Sequence, residues 1–169
     1  SITNTQEAGV DEGGIVKAHG DFLLVLRRGN LYSIRASNPV QTIDFIPAFK
    51  DKKYSTWIDE MLVFGDTIVV IGYSYQVNAT EIGLFTIDAK GFLKHKTTYF
   101  LDSYDYYSSR NYASRLIDNK LVFYMPNYLF GREAYGDVPG DAKLPRVREL
   151  TNEGMVDHQS ILKKVDIYK

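Results

Sequence analysis

Three histidines, a recurring pair of acids and one tyrosine-rich stretch are the side chains of this 169-residue chain with chemistry to offer. The histidines are His19, His95 and His158, and their spacing forms neither H-E-x-x-H nor H-x-H. His19 falls in a turn and His95 stands between Lys94 and Lys96, where a solvated imidazole is the plain alternative to a catalytic or metal role. The chain carries no G-x-S-x-G elbow, no Walker A loop and no G-x-G-x-x-G. It has no cysteine, which excludes disulfides, thiolate zinc sites and cysteine nucleophiles. No catalytic constellation emerges, and the reading leans away from an enzyme.

Two acid pairs, Asp11-Glu12 and Asp59-Glu60, precede two similar stretches of sequence. Carboxylates about 5–10 Å apart are what glycoside hydrolysis requires. Repetition, however, is also what a structural role predicts, since an acid before a strand accepts backbone N–H bonds from turns and neighbours. The densest aromatic and polar stretch runs from Tyr99 to Tyr112. Its Tyr104, Tyr106, Tyr107, Arg110 and Tyr112 offer apolar faces with polar tips, suited to a carbohydrate or peptide ligand. Packing between sheets, with Arg110 on a neighbouring carboxylate, explains the same residues. Asp102 and Asp105 are weak candidates for a hard cation such as calcium, because they lack D-x-D-x-D-G spacing. Asn78-Ala79-Thr80 is a formal glycosylation sequon.

The elements that must position these residues read as strands. Aromatic residues make up 14% of the chain, 13 of them Tyr, and such residues favour strands. The apolar runs are short and are bounded by Gly, Asp and Asn. They predict strands at 14–18, 22–27, 30–35, 41–45, 57–64, 67–73, 81–87, 92–99, 112–117 and 120–125. Turn signals separate them at Gly20-Asp21, Gly29-Asn30, Gly65-Asp66, Lys90-Gly91 and Asp118-Asn119. The best helical candidate is a short one, at 157–164. From residue 126 the pattern changes: Pro126, Pro139, Gly140 and Pro145 interrupt it and charge accumulates, which reads as a long excursion.

A repeat organises the strands. Ile15 to Leu26 and Glu60 to Ile71 each read as a strand, a Gly-Asp turn and an apolar strand, with Asp66 standing 45 residues after Asp21. Ser114 to Tyr124 is a third copy, with Asn119 standing 53 residues after Asp66. An Ile-x-Ala pattern follows the first two, at Ile34-Arg35-Ala36 and Ile87-Asp88-Ala89, and then a fourth strand. Four strands every 40–55 residues or so is the arithmetic of a β-propeller. The expected fold class is all-β, with blades of four antiparallel strands in an incomplete ring of about three. Blade 1 covers about 10–48, blade 2 about 55–102, and a partial blade 3 about 107–169 with a long insertion at 126–160. Strands 22–27, 67–73 and 120–125 are then equivalent and buried on both faces. A β-sandwich would instead pair them in one sheet.

Formal charge is −1, from 20 Lys plus Arg against 21 Asp plus Glu, which argues against a dedicated nucleic-acid partner. The apolar runs, such as Phe22–Leu26 and Ile68–Ile71, fall far short of the roughly 20 residues of a membrane span. Ser1–Gln6 is polar, so no signal peptide is legible, and the absence of an initiator Met predicts a processed or truncated product.

The opening Thr3-Asn4-Thr5-Gln6-Glu7-Ala8-Gly9-Val10-Asp11-Glu12, followed by Ile15-Val16-Lys17 and Gly20-Asp21, resembles the start of secreted bacterial and archaeal proteins with a C-terminal β-propeller domain. That family commonly has Ala-Asp where Gly13-Gly14 stand here, so any cation role of those positions is in doubt. The resemblance covers about residues 3–125 and more loosely the tail. It implies a secreted, periplasmic or cell-surface protein of no agreed activity, and a longer chain of which this is an N-terminal part. The partners expected are further blades, from its own protein or from self-association. The functional reading is a non-enzymatic binding module, and the alternative is a carbohydrate-active hydrolase or lyase. No cofactor is expected, apart from the weak calcium possibility.

Overall fold

The computed structural model describes residues 10–49, 57–103, 113–117, 120–124 and 146–158. Among them every regular element is a strand, and the strands form three antiparallel sheets with no closed barrel. The first sheet is a meander of β2 (Val16–His19), β3 (Phe22–Arg27), β4 (Asn30–Arg35) and β5 (Gln41–Pro47). The second repeats that meander with β6 (Trp57–Phe64), β7 (Thr67–Ser74), β8 (Ala79–Ile87) and β9 (Leu93–Asp102). It then continues through β12 (Val147–Thr151) and β13 (Gly154–His158). The third sheet joins β1 (Val10–Glu12) to β10 (Ala113–Ile117) and β11 (Lys120–Tyr124).

The Gly-Asp turns are two-residue hairpin loops, and Gly20 and Gly65 both take φ +54. A positive φ at the first loop position matches the twist of the flanking strands and favours glycine there. The repeat extends to individual hydrogen bonds. Ala36 N donates to Asp21 O and Ile87 N donates to Asp66 O, each at 3.0 Å. A bulge follows at matching places, between Ser33 and Ile34 and between Leu84 and Phe85. Ala36 is therefore the counterpart of Ile87, and the Ile-x-Ala resemblance is offset by two residues. The Asp-Glu pairs are not equivalent either. By register Glu60 matches Ile15, since Glu60 pairs with Ile71 and Ile15 O accepts from Leu26 N. Asp11 and Glu12 lie in β1, in a different sheet.

Burial distinguishes the sheets. Strands β3, β7 and β11 belong to three different sheets, as successive blades require and a sandwich does not. Alternate residues of the second sheet go to opposite neighbours. Met61, Ile68, Val70, Phe85 and Ile87 pack on Phe22, Leu24, Leu26 and Leu31 of the first sheet. Leu62, Val69, Ile71 and Ile82 pack on the other side with Leu116, Leu121 and Phe123 of the third. Of these three strands, β7 alone is buried on both faces. β3 alternates buried with exposed or half-buried positions, and β11 is nowhere fully buried. The expectation of two buried faces fails for β3 and β11 because, among the described residues, each outer sheet has one neighbour.

The segment 10–16 ties the three sheets together. Val10, Asp11 and Glu12 pair with Ile117, Leu116 and Arg115 of β10. Gly14 then exchanges backbone bonds with Met61, and Ile15 O accepts from Leu26 N. Glycine at 13 leaves room in this crossing for the Glu60 side chain, which a Cβ there would displace.

Part of the stretch read as an excursion is a hairpin. β12 pairs with β9, and β13 with β12, so residues 147–158 extend the second sheet rather than the third. Asp157 and His158 end β13, so the helix proposed from residue 157 starts as strand, and its remainder lies outside the described residues.

Candidate functional site

The hairpin β12–β13 carries the second sheet beyond the outer strand of the first. The step between them is an open cleft of about 930 Å3. One wall is the end of β5 and the residues after it, Ile46, Pro47, Ala48 and Phe49. The other is β9 from His95 to Thr98, with Glu149 to Asn152 from the hairpin. The bulge between Leu84 and Phe85 lies opposite this part of β9, where Lys96 is the extra residue. Bulges bend a strand and re-aim its side chains.

One polar cluster faces the cleft, and a second lies on the reverse face of the same strands. His95 Nε2 shares a hydrogen bond with Thr98 Oγ1 at 2.9 Å, and its ring meets Phe85 edge-on with centroids 5.2 Å apart. Thr97 Oγ1 donates to Glu149 Oε1 at 2.8 Å, and Tyr99 also hydrogen-bonds Glu149. Burial, and then the Glu149 charge beside it, push the Tyr99 phenol above its ordinary value, so it stays a neutral donor. Thr97 and Thr98 are consecutive in a strand and point to opposite faces. The imidazole, held by Thr98, is thus on the cleft face beside Phe85, and the carboxylate, held by Thr97 and Tyr99, is on the face turned to the third sheet.

Other described carboxylates hold structure. Asp102 accepts from Arg148 at 2.7 Å and from Arg146 at 3.2 Å, which clamps the hairpin to β9. Asp44 accepts from Phe45 N and Leu93 N, both at 2.8 Å, and so ties β5 to β9. Asp88 accepts from Lys90 N and Phe92 N in the turn before β9, and these bonds, Phe92 first, hold its carboxyl below the ordinary value. His19 Nε2 lies 3.4 Å from Asp66 Oδ1, turn against turn. Among the described residues no group of three or more His, Cys, Asp or Glu is placed to hold a metal ion.

A family model described as a beta propeller domain matches residues 1–163. The chain belongs to that beta propeller domain family. No curated protein and no solved structure gave a match. The three sheets are accordingly blades of a propeller, with the cleft at the outer edge of the first two.

Within these blades the residues singled out from sequence are scattered. Tyr104, Asp105, Tyr106, Tyr107, Arg110 and Tyr112 lie outside the described residues. Asp11 and Glu12 are placed by backbone in β1, and Asp59 at the bulge of β6. The Glu60 side chain lies over Gly13. Asp102, weighed as a calcium ligand, has both oxygens on arginines. The sequence reading missed Glu149, Thr97 and the Phe49 wall. A signal for Glu149 was present, since Val147–Thr151 followed by Asn152-Glu153-Gly154 has the form of a strand and a hairpin loop.

Proposed function

We propose that this propeller is an extracytoplasmic, non-enzymatic binding module that takes its ligand in the outer cleft. The observation that carries the reading is how the carboxylates are employed. Asp44 and Asp88 accept backbone amides and Asp102 accepts two guanidinium groups. Acids used this way stabilise turns and strands, whereas hydrolysis needs two acids facing one another across the substrate. Propellers host many functions, so the fold alone does not choose between them. The cleft offers an apolar wall at Phe49 and Ile46 and polar groups at His95 and Thr98, which suits a carbohydrate or peptide. The extracytoplasmic location is supported by the resemblance of residues 3–21 to secreted propeller proteins. Among the described residues no helix is long and apolar enough to cross a membrane.

The test is a glycan and peptide binding screen run beside a hydrolysis screen on the same panel. Binding without turnover, weakened at least tenfold by His95→Ala, supports the module. Turnover that disappears in Asp-to-Asn or Glu149→Gln variants sinks it and favours the carbohydrate-active alternative.

A further inference from the structure

The two outer strands that wall the cleft differ in what their edges can pair with. Strand register superposes Phe45, Pro47 and Phe49 of β5 on Thr98, Phe100 and Asp102 of β9. In β9 these are the positions whose backbone groups turn away from β8, and the added hairpin uses them. Asp102 N donates to Arg146 O at 3.0 Å, and β12 pairs alongside from Thr98 to Leu101. In β5 the same positions turn away from β4. Ala48 N donates inward to Gly29 O at 2.9 Å, and inward and outward residues alternate along an antiparallel strand. Two outward donors of β5 are nevertheless missing. Pro47 has no N–H, and Phe45 N is already bound to Asp44 Oδ1 at 2.8 Å. The second Asp44 oxygen takes Leu93 N, at the start of β9, also at 2.8 Å. The first blade thus lacks the donors with which the second blade holds β12.

We infer that the ligand of the cleft is a saccharide and not an extended peptide, and that Pro47 and Asp44 are the residues that exclude the peptide. The inference rests on the module reading and names the ligand class of that same cleft. An extended peptide joins a sheet edge by both giving and receiving backbone bonds. Along β5 its carbonyls would meet the Pro47 ring and a Phe45 N–H that Asp44 already holds. What β5 still presents outward is acceptors, the carbonyl oxygens of Phe45 and Pro47. Pro47 is exposed and lines the cleft. Hydroxyl groups are donors that rotate to suit such acceptors, and a saccharide carries them around its ring. Across the cleft the Thr98 hydroxyl and the His95 imidazole face the same space. Ile46 and Leu150 add apolar surface for the C–H faces of a sugar ring.

The experiment titrates the full chain with a panel of oligosaccharides and a panel of short extended peptides, read by calorimetry. The unaltered chain is expected to bind members of the first panel, and His95→Ala to weaken that binding at least tenfold. Peptide binding is expected only after Pro47→Val, which returns an outward N–H to β5, and is expected to rise at least tenfold over the unaltered chain. Should Pro47→Val fail to fold by circular dichroism, Pro47→Ala returns the same N–H with a smaller side chain. An unaltered chain that binds peptides in a His95-dependent way and ignores oligosaccharides overturns the inference and leaves the module reading standing. Oligosaccharide binding that His95→Ala does not weaken also overturns it, by placing the saccharide outside the cleft. A folded Pro47 variant that gains no peptide binding overturns the role given to Pro47. Saccharides that are bound and turned over support the ligand class while sinking the non-enzymatic reading. Binding to neither panel overturns both.

Discussion

The first and second blades are built on one plan and buried to different degrees. Both have a Gly-Asp hairpin, both bulge after the same β4 or β8 position, and both close the loop with the same Asp O to backbone N bond. Yet Val70 is fully buried while Val25, its counterpart, is half-buried, and Ile68 is fully buried while Leu23 is 36% exposed. The difference lies in the neighbour. The strands are similar, but among the described residues the second blade sits between two others and the first beside one. Local sequence makes the blade, and the adjacent blade makes the core.

The sharpest test of that comparison replaces equivalent residues. Val70→Asp puts an unpaired charge into a closed interface and is expected to lose about 4–5 kcal/mol or more, enough to unfold the domain. Val25→Asp, at the matching position of an open face, is expected to leave the fold intact with a cost of about 1 kcal/mol. Urea denaturation followed by circular dichroism reads both. Equal losses would mean that Val25 is covered as Val70 is.

The next pair concerns the crossing segment. Gly13→Ala forces the Glu60 side chain aside and is expected to cost about 1–3 kcal/mol. Gly14→Ala meets only ordinary contacts, at 3.7 Å to Lys17 and 3.9 Å to Val16 O, and is expected to cost about 1 kcal/mol or less. Thermal melts of the two variants side by side check the contrast.

Among the described residues, the hairpin that the second blade has and the first lacks is held by charge. Asp102→Asn removes the acceptor for Arg146 and Arg148, and the half-exposed setting limits the loss to about 1–2 kcal/mol. The effect is local: hydrogen exchange should speed up in β12 and β13 and stay unchanged in β3. Uniform acceleration would show that the hairpin is part of the global cooperative unit.

The smallest effects follow proton binding. Asp88 is more acidic folded than unfolded, so it stabilises above the unfolded carboxyl value and loses that contribution as pH falls through its lowered folded value. Asp88→Asn should flatten the acid limb of the stability curve slightly. Tyr99 behaves oppositely. Its raised value means that its contribution is complete below the unfolded phenol value and is lost as pH rises through the folded one. Ultraviolet titration of the phenols, with Tyr99→Phe as reference, should show one phenol ionising late.

What was legible in the sequence follows the range of the interactions. The two-residue loops Gly20-Asp21 and Gly65-Asp66 depend on neighbouring residues, so composition announces them and the strands on either side. The 45-residue spacing of Asp21 and Asp66 then gave the blades. The partner of β1 was not legible, because Val10 meets Ile117 through a pairing that no local pattern encodes. Nor was the attachment of β12 to β9, which moved the charged stretch from the third blade to the second. The cleft draws on three separated segments, around Phe49, His95 and Glu149, and becomes visible only once the sheets are placed side by side.

The crossing segment also sets a timetable. Translation releases residues at roughly 5–20 per second, so Val10 leaves the ribosome about 5–20 s before Ile117, the residue it will pair with. The first blade and the β6–β9 meander of the second are complete well before that. During the interval β1 is a short strand with no ladder, beside sheets whose inner strands already exist. Pairing at that separation is among the slow events of folding, because a long loop must close before the contact rewards it. The pairing of β1 thus waits until β10 has been made, after the strands of the first blade are all in place.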